Sequence, residues 1–207
     1  MMSPAKVTLS QKELELVNNA DLILTKNEVI HKVNRLFGEL SNQYRIIWDK
    51  YHLESFEKAD FISPKIAKGE QYEGLPWVML DYPRCFTKEN TFAIRSFFWW
   101  GNACSITLQL SGIYQKKYAL TLQNKFLSRD GLSQKNDWLI GMDVDPWQHH
   151  FREDNCQRLD QWSGVSFLDL PFLKITKKIP LDQWDRVAGF FENSYIEILE
   201  MLSTIVD

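Results

Sequence analysis

The sequence predicts an α+β domain in which a mostly antiparallel sheet of four to five strands is covered by two long amphipathic helices. Apolar residues recur at spacings of three and four over residues 26–51 and over residues 181–203, the period of a helix with one buried face. Between these segments apolar and polar residues alternate, as in half-buried strands. Neither apolar stripe can remain in water, so the helices must cover the sheet or pair with each other.

The N-terminal part of the chain carries two helix-start signals. Ser10 and Glu13 have the spacing of a capping box and predict a short helix that ends near Asn18. Thr25 and Glu28 repeat that spacing and predict the start of the first long helix. The apolar stripe of this helix consists of Ile30, Val33, Phe37, Leu40, Tyr44, Ile47 and Tyr51.

Strands are predicted where the apolar period falls to two. The segments concerned are 75–81, 91–99, 104–111, 138–142 and 172–179. Asp81-Tyr82-Pro83-Arg84 predicts a turn at the end of the first strand. Gly101-Asn102 predicts a two-residue hairpin turn, because glycine readily supplies a positive φ.

Two segments outside these strands are assigned by their composition. Residues 53–74 lose the periodicity and contain Pro64, Gly69 and Gly74, which predicts a loop and a candidate hinge. Residues 113–127 fit a helix or a strand, and we predict a helix because the charged and amide residues then share one side.

The last helix is predicted to open at Pro180 and Asp182. Its stripe consists of Trp184, Val187, Phe191, Tyr195, Ile198, Leu202 and Ile205. On the preceding strand, Lys174, Lys177 and Lys178 are expected to face outward or to lie at an edge. The chain is thus assigned as one domain, 1–207, with a helical segment 1–52, a sheet with a crossing helix and a long loop over 75–180, and a C-terminal helix over 181–205.

The composition of the chain limits the classes of partner that we expect. Lys and Arg total 24 against 27 Asp and Glu, so the chain lacks the basic excess of a nucleic-acid-binding protein. No apolar run reaches the roughly 18 residues of a membrane span, and no signal-peptide pattern is present. Three widely spaced cysteines predict reduced thiols. We therefore expect a soluble, cytoplasmic protein that contacts neither nucleic acid nor membrane.

The segment from residue 143 to about residue 171 is the richest in chemical groups, and we expect it to line the principal pocket. Asp143, Asp145 and His149 or His150 are suitable ligands for a divalent metal, although adjacent histidines point apart in regular backbone. A second interpretation is that both histidines hydrogen-bond loop carbonyls. A histidine here would also titrate between about pH 5 and 8. Cys156 could act as a nucleophile with one histidine as its base.

A second candidate group surrounds Arg95, which interrupts an otherwise apolar strand. A buried guanidinium needs a partner, and Asp81 on a neighbouring strand is the natural one. Alternatively, Arg84 and Arg95 bind an anionic ligand in a mouth walled by Trp99 and Trp100.

No dinucleotide-binding, P-loop, α/β-hydrolase or C-x-x-C signature is present. We therefore expect a non-enzymatic domain that binds a small molecule or a protein through aromatic-rich surfaces, without a cofactor. Its candidate site residues are Arg84, Arg95, Trp99, Trp100, Trp147, His149 and His150. The alternative is a metal-dependent hydrolase-type enzyme that uses Asp143, Asp145 and His149 or His150.

Overall fold

A computed structural model describes residues 7–51, 63–127, 137–142 and 144–203. The helices are α1 Gln11–Val17, α2 Ala20–Tyr51, α3 Gly112–Leu127 and α4 Val187–Leu202. The strands are β1 Lys65–Tyr72, β2 Leu75–Phe86, β3 Thr91–Trp99, β4 Ala103–Ser111, β5 Trp138–Gly141, β6 Cys156–Arg158 and β7 Leu173–Pro180. Short 3₁₀ segments cover Leu159–Gln161 and Leu181–Arg186.

The seven strands form one sheet in the order β1-β2-β3-β4-β7-β5-β6, and every neighbouring pair is antiparallel. The α+β class is confirmed, but the predicted four to five strands are too few. The two missed strands, β1 and β6, are the edges of the sheet. β1 falls in the predicted loop 53–74, of which residues 53–62 lie outside the described part. It is mostly exposed on both faces and therefore shows no alternation.

α2, α3 and α4 cover one face of the sheet and form the core with it. Phe37 of α2 packs edge-on against Phe191 of α4, with ring centroids 5.4 Å apart. Tyr44 stacks on Tyr195 at 3.8 Å, and its hydroxyl lies 2.9 Å from the Ser96 hydroxyl of β3. The stripe predicted for α2 is buried from Ile30 to Ile47, and Tyr51 at its end is half-buried. The stripe predicted for α4 is buried from Val187 to Leu202. Trp184, which was predicted to begin this stripe, is partly exposed, and Ile205 lies outside the described residues.

Side-chain caps mark the starts of α1 and α2. The Ser10–Glu13 capping box is confirmed: Ser10 Oγ accepts from the Glu13 amide at 3.3 Å, and Glu13 Oε2 accepts from the Ser10 amide at 2.7 Å. α2 begins at Ala20, not near Thr25, because Asn19 Oδ1 accepts from the Leu22 amide at 3.2 Å. The Thr25 start was therefore wrong.

The predicted start of the last helix at Pro180–Asp182 was also wrong. Residues 181–186 form a 3₁₀ segment interrupted by the non-helical backbone of Gln183, and α4 begins after it. The helix predicted over 113–127 is confirmed as α3.

Two predicted turns are corrected. β2 does not end at Asp81 but continues through an irregularity that holds a cis Tyr82–Pro83 bond, and its pairing with β3 resumes at Arg84. Proline is tolerated at such a bulge because no ladder hydrogen bond is required there. The β3–β4 turn has three residues, with Gly101 at φ 71°, because Trp99 pairs with Ala103.

The lysines of β7 do not lie at an edge, because β7 pairs with both β4 and β5. Lys174 and Lys177 are buried, and only Lys178 is exposed, as predicted. On the helix face, Lys177 Nζ forms an ion pair with Glu197 of α4 at 3.1 Å. Local partners thus allow charged groups in the middle of the sheet.

None of the helices in the described ranges combines the length and the apolar character needed to cross a membrane.

The core stripes can be tested by truncation. Phe37→Ala and Ile198→Ala should each lower the free energy of unfolding by about 2–5 kcal/mol, because both side chains are fully buried. Leu120→Ala on α3, where the side chain is 54% exposed, is the matched control and should change stability little. Urea denaturation measures all three, and midpoints of the core variants equal to that of the control would contradict the packing.

Candidate functional site

On the face of the sheet opposite the helices, the part formed by β4 and β7 is polar, yet it is buried. Ser105, Thr107 and Gln109 of β4 lie on this face, opposite Lys178, Thr176 and Lys174 of β7. All of them except Lys178 are less than 5% exposed. The segment that covers the face is residues 142–155, between β5 and β6, which we name the cover loop; residue 143 is outside the described part. Polar groups under such a cover need hydrogen-bond partners.

The sheet supplies anchors for the cover loop. The Tyr72 hydroxyl accepts from the amides of His149 and His150 at 2.6 and 3.0 Å. Arg152 donates twice to the Glu73 carboxylate, at 2.9 and 2.6 Å. Both anchors are adjacent residues at the end of the β1–β2 hairpin, so this hairpin fixes the position of the loop.

Lys174 holds the loop from beneath, because its Nζ donates to the carbonyl oxygens of Pro146, at 3.4 Å, and Gln148. Within the loop, Asp145 Oδ1 accepts from the Trp147 amide at 2.9 Å. The Asp145 carboxylate therefore stabilises the turn that presents Trp147.

A continuous chain of polar contacts runs from β2 through β3 to the loop. Arg95 Nε and Nη2 donate to the two carboxylate oxygens of Asp81 at 2.7 and 2.9 Å. The predicted partner of Arg95 is thus in place. Arg95 Nη1 lies 3.1 Å from Nε2 of His149. Because arginine can only donate, Nε2 accepts and the proton of the neutral ring is on Nδ1.

His149 is held in the neutral state. Burial, the largest cause, and electrostatic interactions with Lys174, Arg95 and His150 together lower its pKa to about 2. The expectation that a histidine of this loop titrates between pH 5 and 8 is therefore wrong for His149. The ring offers a fixed polar surface and not a proton that exchanges near neutral pH.

A cavity of about 410 Å³ opens between the cover loop and the β1–β3 edge of the sheet, and we name it the aromatic pocket. Its lining consists of Gly69, Glu70, Gln71, Tyr72, Trp77, Met79, Phe97, Trp147 and His149. The rings of Phe97 and His149 lie 5.0 Å apart, and those of Trp77 and Phe97 lie 6.1 Å apart. The volume falls within the range of small-molecule sites, about 300–1,000 Å³.

Gly69 allows one wall of the aromatic pocket to form. A Cβ on this residue would lie 2.7 Å from indole atoms of Trp77, closer than van der Waals contact permits. The Trp77 ring can therefore lie against the β1 backbone only where no side chain intervenes.

The structure brings together three of the seven predicted site residues. Trp147 and His149 line the pocket, and Arg95 lies behind them with its Cζ 5.5 Å from the Trp147 ring centroid. Trp99 is buried beside Tyr72, 5.0 Å between ring centroids, and does not line the pocket.

The other three predicted residues have different surroundings. Arg84 donates to the Ser63 carbonyl at 3.1 Å. Trp100 lies in the β3–β4 turn on the helix side. The side chain of His150 is buried, and its Nδ1 lies 3.7 Å from a carboxylate oxygen of Asp154. This nitrogen has no hydrogen-bond partner among the described residues.

Sequence reasoning missed the β1 and β2 residues of the pocket, namely Tyr72 and Trp77 with Gly69. The missed signal is Glu73-Gly74, a two-residue turn whose residues have φ of 49° and 77°. Positive φ at both positions is typical of a tight hairpin, and glycine at the second position marks it. Recognising this turn would have placed β1 against β2.

Of the predicted metal ligands, Asp143 lies outside the described residues. The Asp145 carboxylate caps the loop, and His149 faces two cationic side chains. Within the described ranges, no group of three His, Cys, Asp or Glu side chains is placed to hold a metal ion.

Cys156 is one of three free, buried cysteines in the chain. Burial raises the pKa of its thiol, so the nucleophilic thiolate is disfavoured. Its Sγ lies 3.6 Å from the backbone oxygen of His150.

Comparison of the chain with protein-family models, with curated proteins and with solved structures finds no match in any of the three.

Removing one member of the Asp81–Arg95 pair should leave an uncompensated buried charge. We expect Asp81→Ala to lower the free energy of unfolding by about 3–5 kcal/mol. The double variant Asp81→Leu, Arg95→Met should lose less, because no buried charge then remains at this pair. Urea denaturation of both variants measures the difference, and a double variant no more stable than the single one would refute this account.

The neutral state of His149 predicts a pH dependence of stability. The pKa of the folded protein, about 2, lies below the ordinary 6.5, so the unfolded chain binds more protons at acidic pH. The contribution of His149 is fully present above pH ~6.5 and is lost as the pH falls below it. Between pH 7 and 5, wild type should lose up to about 2 kcal/mol more than His149→Gln, which can accept from Arg95 but does not protonate.

Unfolding in urea at the two pH values measures this difference. His31→Gln removes an exposed histidine of α2 and is the control that should retain the wild-type pH dependence. Equal losses in wild type and His149→Gln would show that His149 is not buried in neutral form.

Proposed function

We propose that this protein binds a small, planar, largely apolar molecule in the aromatic pocket and that it does so without catalysing a reaction. The observation that carries the proposal is a cavity of about 410 Å³ with Trp77, Phe97, Tyr72 and Trp147 in its walls. Aromatic walls offer large contact areas and stacking geometry to a flat ligand. Met79 adds an adaptable, polarizable surface.

The electrostatics of the pocket favour a neutral or anionic ligand. The positive charges of Lys174 and Arg95 lower the pKa of His149, and the same field disfavours a cation beside that ring. A metal ion at His149 would meet this repulsion too, which is why we place ligand binding ahead of the metal-dependent hydrolase alternative.

The titratable groups of the described lining support binding over catalysis. His149, with its pKa of about 2, is not a base of useful strength near neutral pH. Burial raises the pKa of Tyr72, whose oxygen already accepts from two amides. Glu70 forms an ion pair with Lys26 at 2.6 Å. None of the three is arranged for proton transfer with a ligand.

A pair of glycine variants tests the proposal. The probe is 1-anilinonaphthalene-8-sulfonate, which joins a flat, apolar naphthalene ring to an anionic sulfonate, and a library of planar aromatic fragments is then used to displace it. Gly69→Ala should weaken binding at least tenfold, because the new Cβ displaces the Trp77 indole that forms a wall. Gly38→Ala on α2 is the same chemical change with nothing within 4 Å of the new atom, and it should bind as wild type does.

Trp147→Ala provides an independent readout from the loop side. This side chain is 50% exposed, so its removal should leave the melting temperature nearly unchanged while it weakens probe binding. Fluorescence titration gives the affinities. The proposal fails if wild type binds neither the probe nor any fragment, or if Gly69→Ala and Trp147→Ala both bind as tightly as wild type.

A further inference from the structure

The helical segment at residues 7–25, which we name the arm, exposes an unusual amount of apolar surface. Eight large apolar side chains between residues 7 and 24 are exposed, from 42% for Leu14 to 85% for Val7. The first buried residue of α2 is Ile30, so the helix extends about 15 Å beyond it toward Ala20. So many exposed large apolar side chains within one short segment are typical of an interaction site.

The sequence of the arm continues the buried stripe of α2. Ile23 lies seven residues before Ile30, and Leu22 lies seven before Val29, so each pair shares a helix face after nearly two turns. The face that packs against the sheet therefore extends past the body of the domain. The Lys26–Glu70 ion pair, at 2.6 Å, ties α2 to the edge strand β1 close to where the arm begins.

The short helix of the arm needs packing to persist. α1 has seven residues and none of them is buried. Helices shorter than about 12–15 residues are marginal in water, and most helical stability in proteins comes from a packed apolar face. Among the described residues none buries any part of α1, and a second surface packed on its apolar side chains would stabilise it.

An apolar groove lies at the root of the arm. It has a volume of about 360 Å³ and is bounded by Val29 and Lys32 of α2, by Phe98 and Trp100, and by Leu181 and Trp184. The Phe98 ring meets Trp100 and Trp184 edge-on, at centroid distances of 6.4 and 6.2 Å. Lys32 is the one charged residue among those that line it.

We propose that the groove of one molecule receives the arm of a second copy of this chain, and that two such contacts form a symmetric dimer. A molecule cannot fill its own groove with residues 20–28, because α2 is one continuous helix and directs them along its axis, away from Val29. The arm carries Lys12 against Glu13, Glu15 and Asp21, a net charge of −2, which complements Lys32.

The size of the surface fits a stable dimer. Arm and groove together supply up to about 25 residues on each side, within the roughly 20–30 of a standard interface. Because each copy carries both surfaces, the two contacts are equivalent by a two-fold axis.

Solution mass tests the dimer. Sedimentation velocity and light scattering on the full chain should give twice the 24.4 kDa of the monomer at micromolar concentration. Leu16→Glu with Leu24→Glu places charges on exposed arm positions and should give a folded monomer, with the dissociation constant of the dimer raised at least a hundredfold. Lys32→Glu should weaken dimerisation about tenfold, and Ile113→Glu with Leu120→Glu on α3 should leave it intact.

Mixing distinguishes arm-to-groove pairing from arm-to-arm pairing. Lys32→Glu combined with Trp100→Ala disables the groove, and its circular dichroism and melting temperature report whether the fold is kept. In a mixture of this variant with the arm variant, the intact arm of the first can enter the intact groove of the second. The mixture should therefore form heterodimers, whereas each variant alone should remain monomeric.

Four outcomes would overturn the proposal: a monomeric wild type, a dimeric arm variant, a dimer lost in the α3 control, or a mixture without heterodimers. If the wild type is monomeric and floats with phosphatidylcholine–phosphatidylglycerol vesicles, the arm belongs to a membrane surface instead. The aromatic pocket is unaffected by any of these results, because its probe binding is measured separately.

Discussion

The guanidinium of Arg95 lies in the middle of the sheet and is 4% exposed, and much of the second face is arranged around it. A buried charge of this kind persists only when it is paired and its donors are satisfied. Asp81 on β2 satisfies two donors and compensates the charge, and the His149 ring from the cover loop accepts a third. The loop is thus part of what makes Arg95 tolerable in the sheet.

The two faces of the sheet achieve burial by different means. On the helix face, apolar side chains such as Phe92 and Ile94 are covered by apolar helix stripes. On the other face, Thr107 and Thr176 hydrogen-bond to each other at 2.8 Å, and Lys174 bonds to loop carbonyls. A loop can cover this face because its backbone groups find partners among the polar side chains beneath it.

Where packing follows periodicity, the sequence predicted the fold well. The stripes of α2 and α4, the helical assignment of α3 and the five inner strands were predicted from spacing alone, with errors of a few residues at their ends. β1 was missed because an edge strand exposed on both faces has no apolar alternation. Lys174 was placed outside because a charge pattern does not show that a strand has neighbours on both sides or that a loop offers carbonyls.

The residues of the candidate site could be predicted only where several of them lie close together in the sequence. Trp147 and His149 stand out in the sequence because the stretch around them is dense in rings and charges. Tyr72 and Phe97 are 25 positions apart in the chain, and they lie 75 and 50 positions before Trp147. Only the hairpin and the sheet register bring the rings of Tyr72 and Phe97 together. No local sequence pattern predicts this contact between the two rings.

The hydroxyl oxygen of Tyr72 links the opening of two backbone hydrogen bonds to the aromatic pocket. One phenol holds the amides of His149 and His150 while its ring lines the pocket. The two amide protons are thus released by the same opening event, so they should exchange with solvent at a common rate. A molecule bound against the ring would slow the exchange of both protons together. The hydrogen-exchange rates of the His149 and His150 amides would therefore report ligand binding in the pocket.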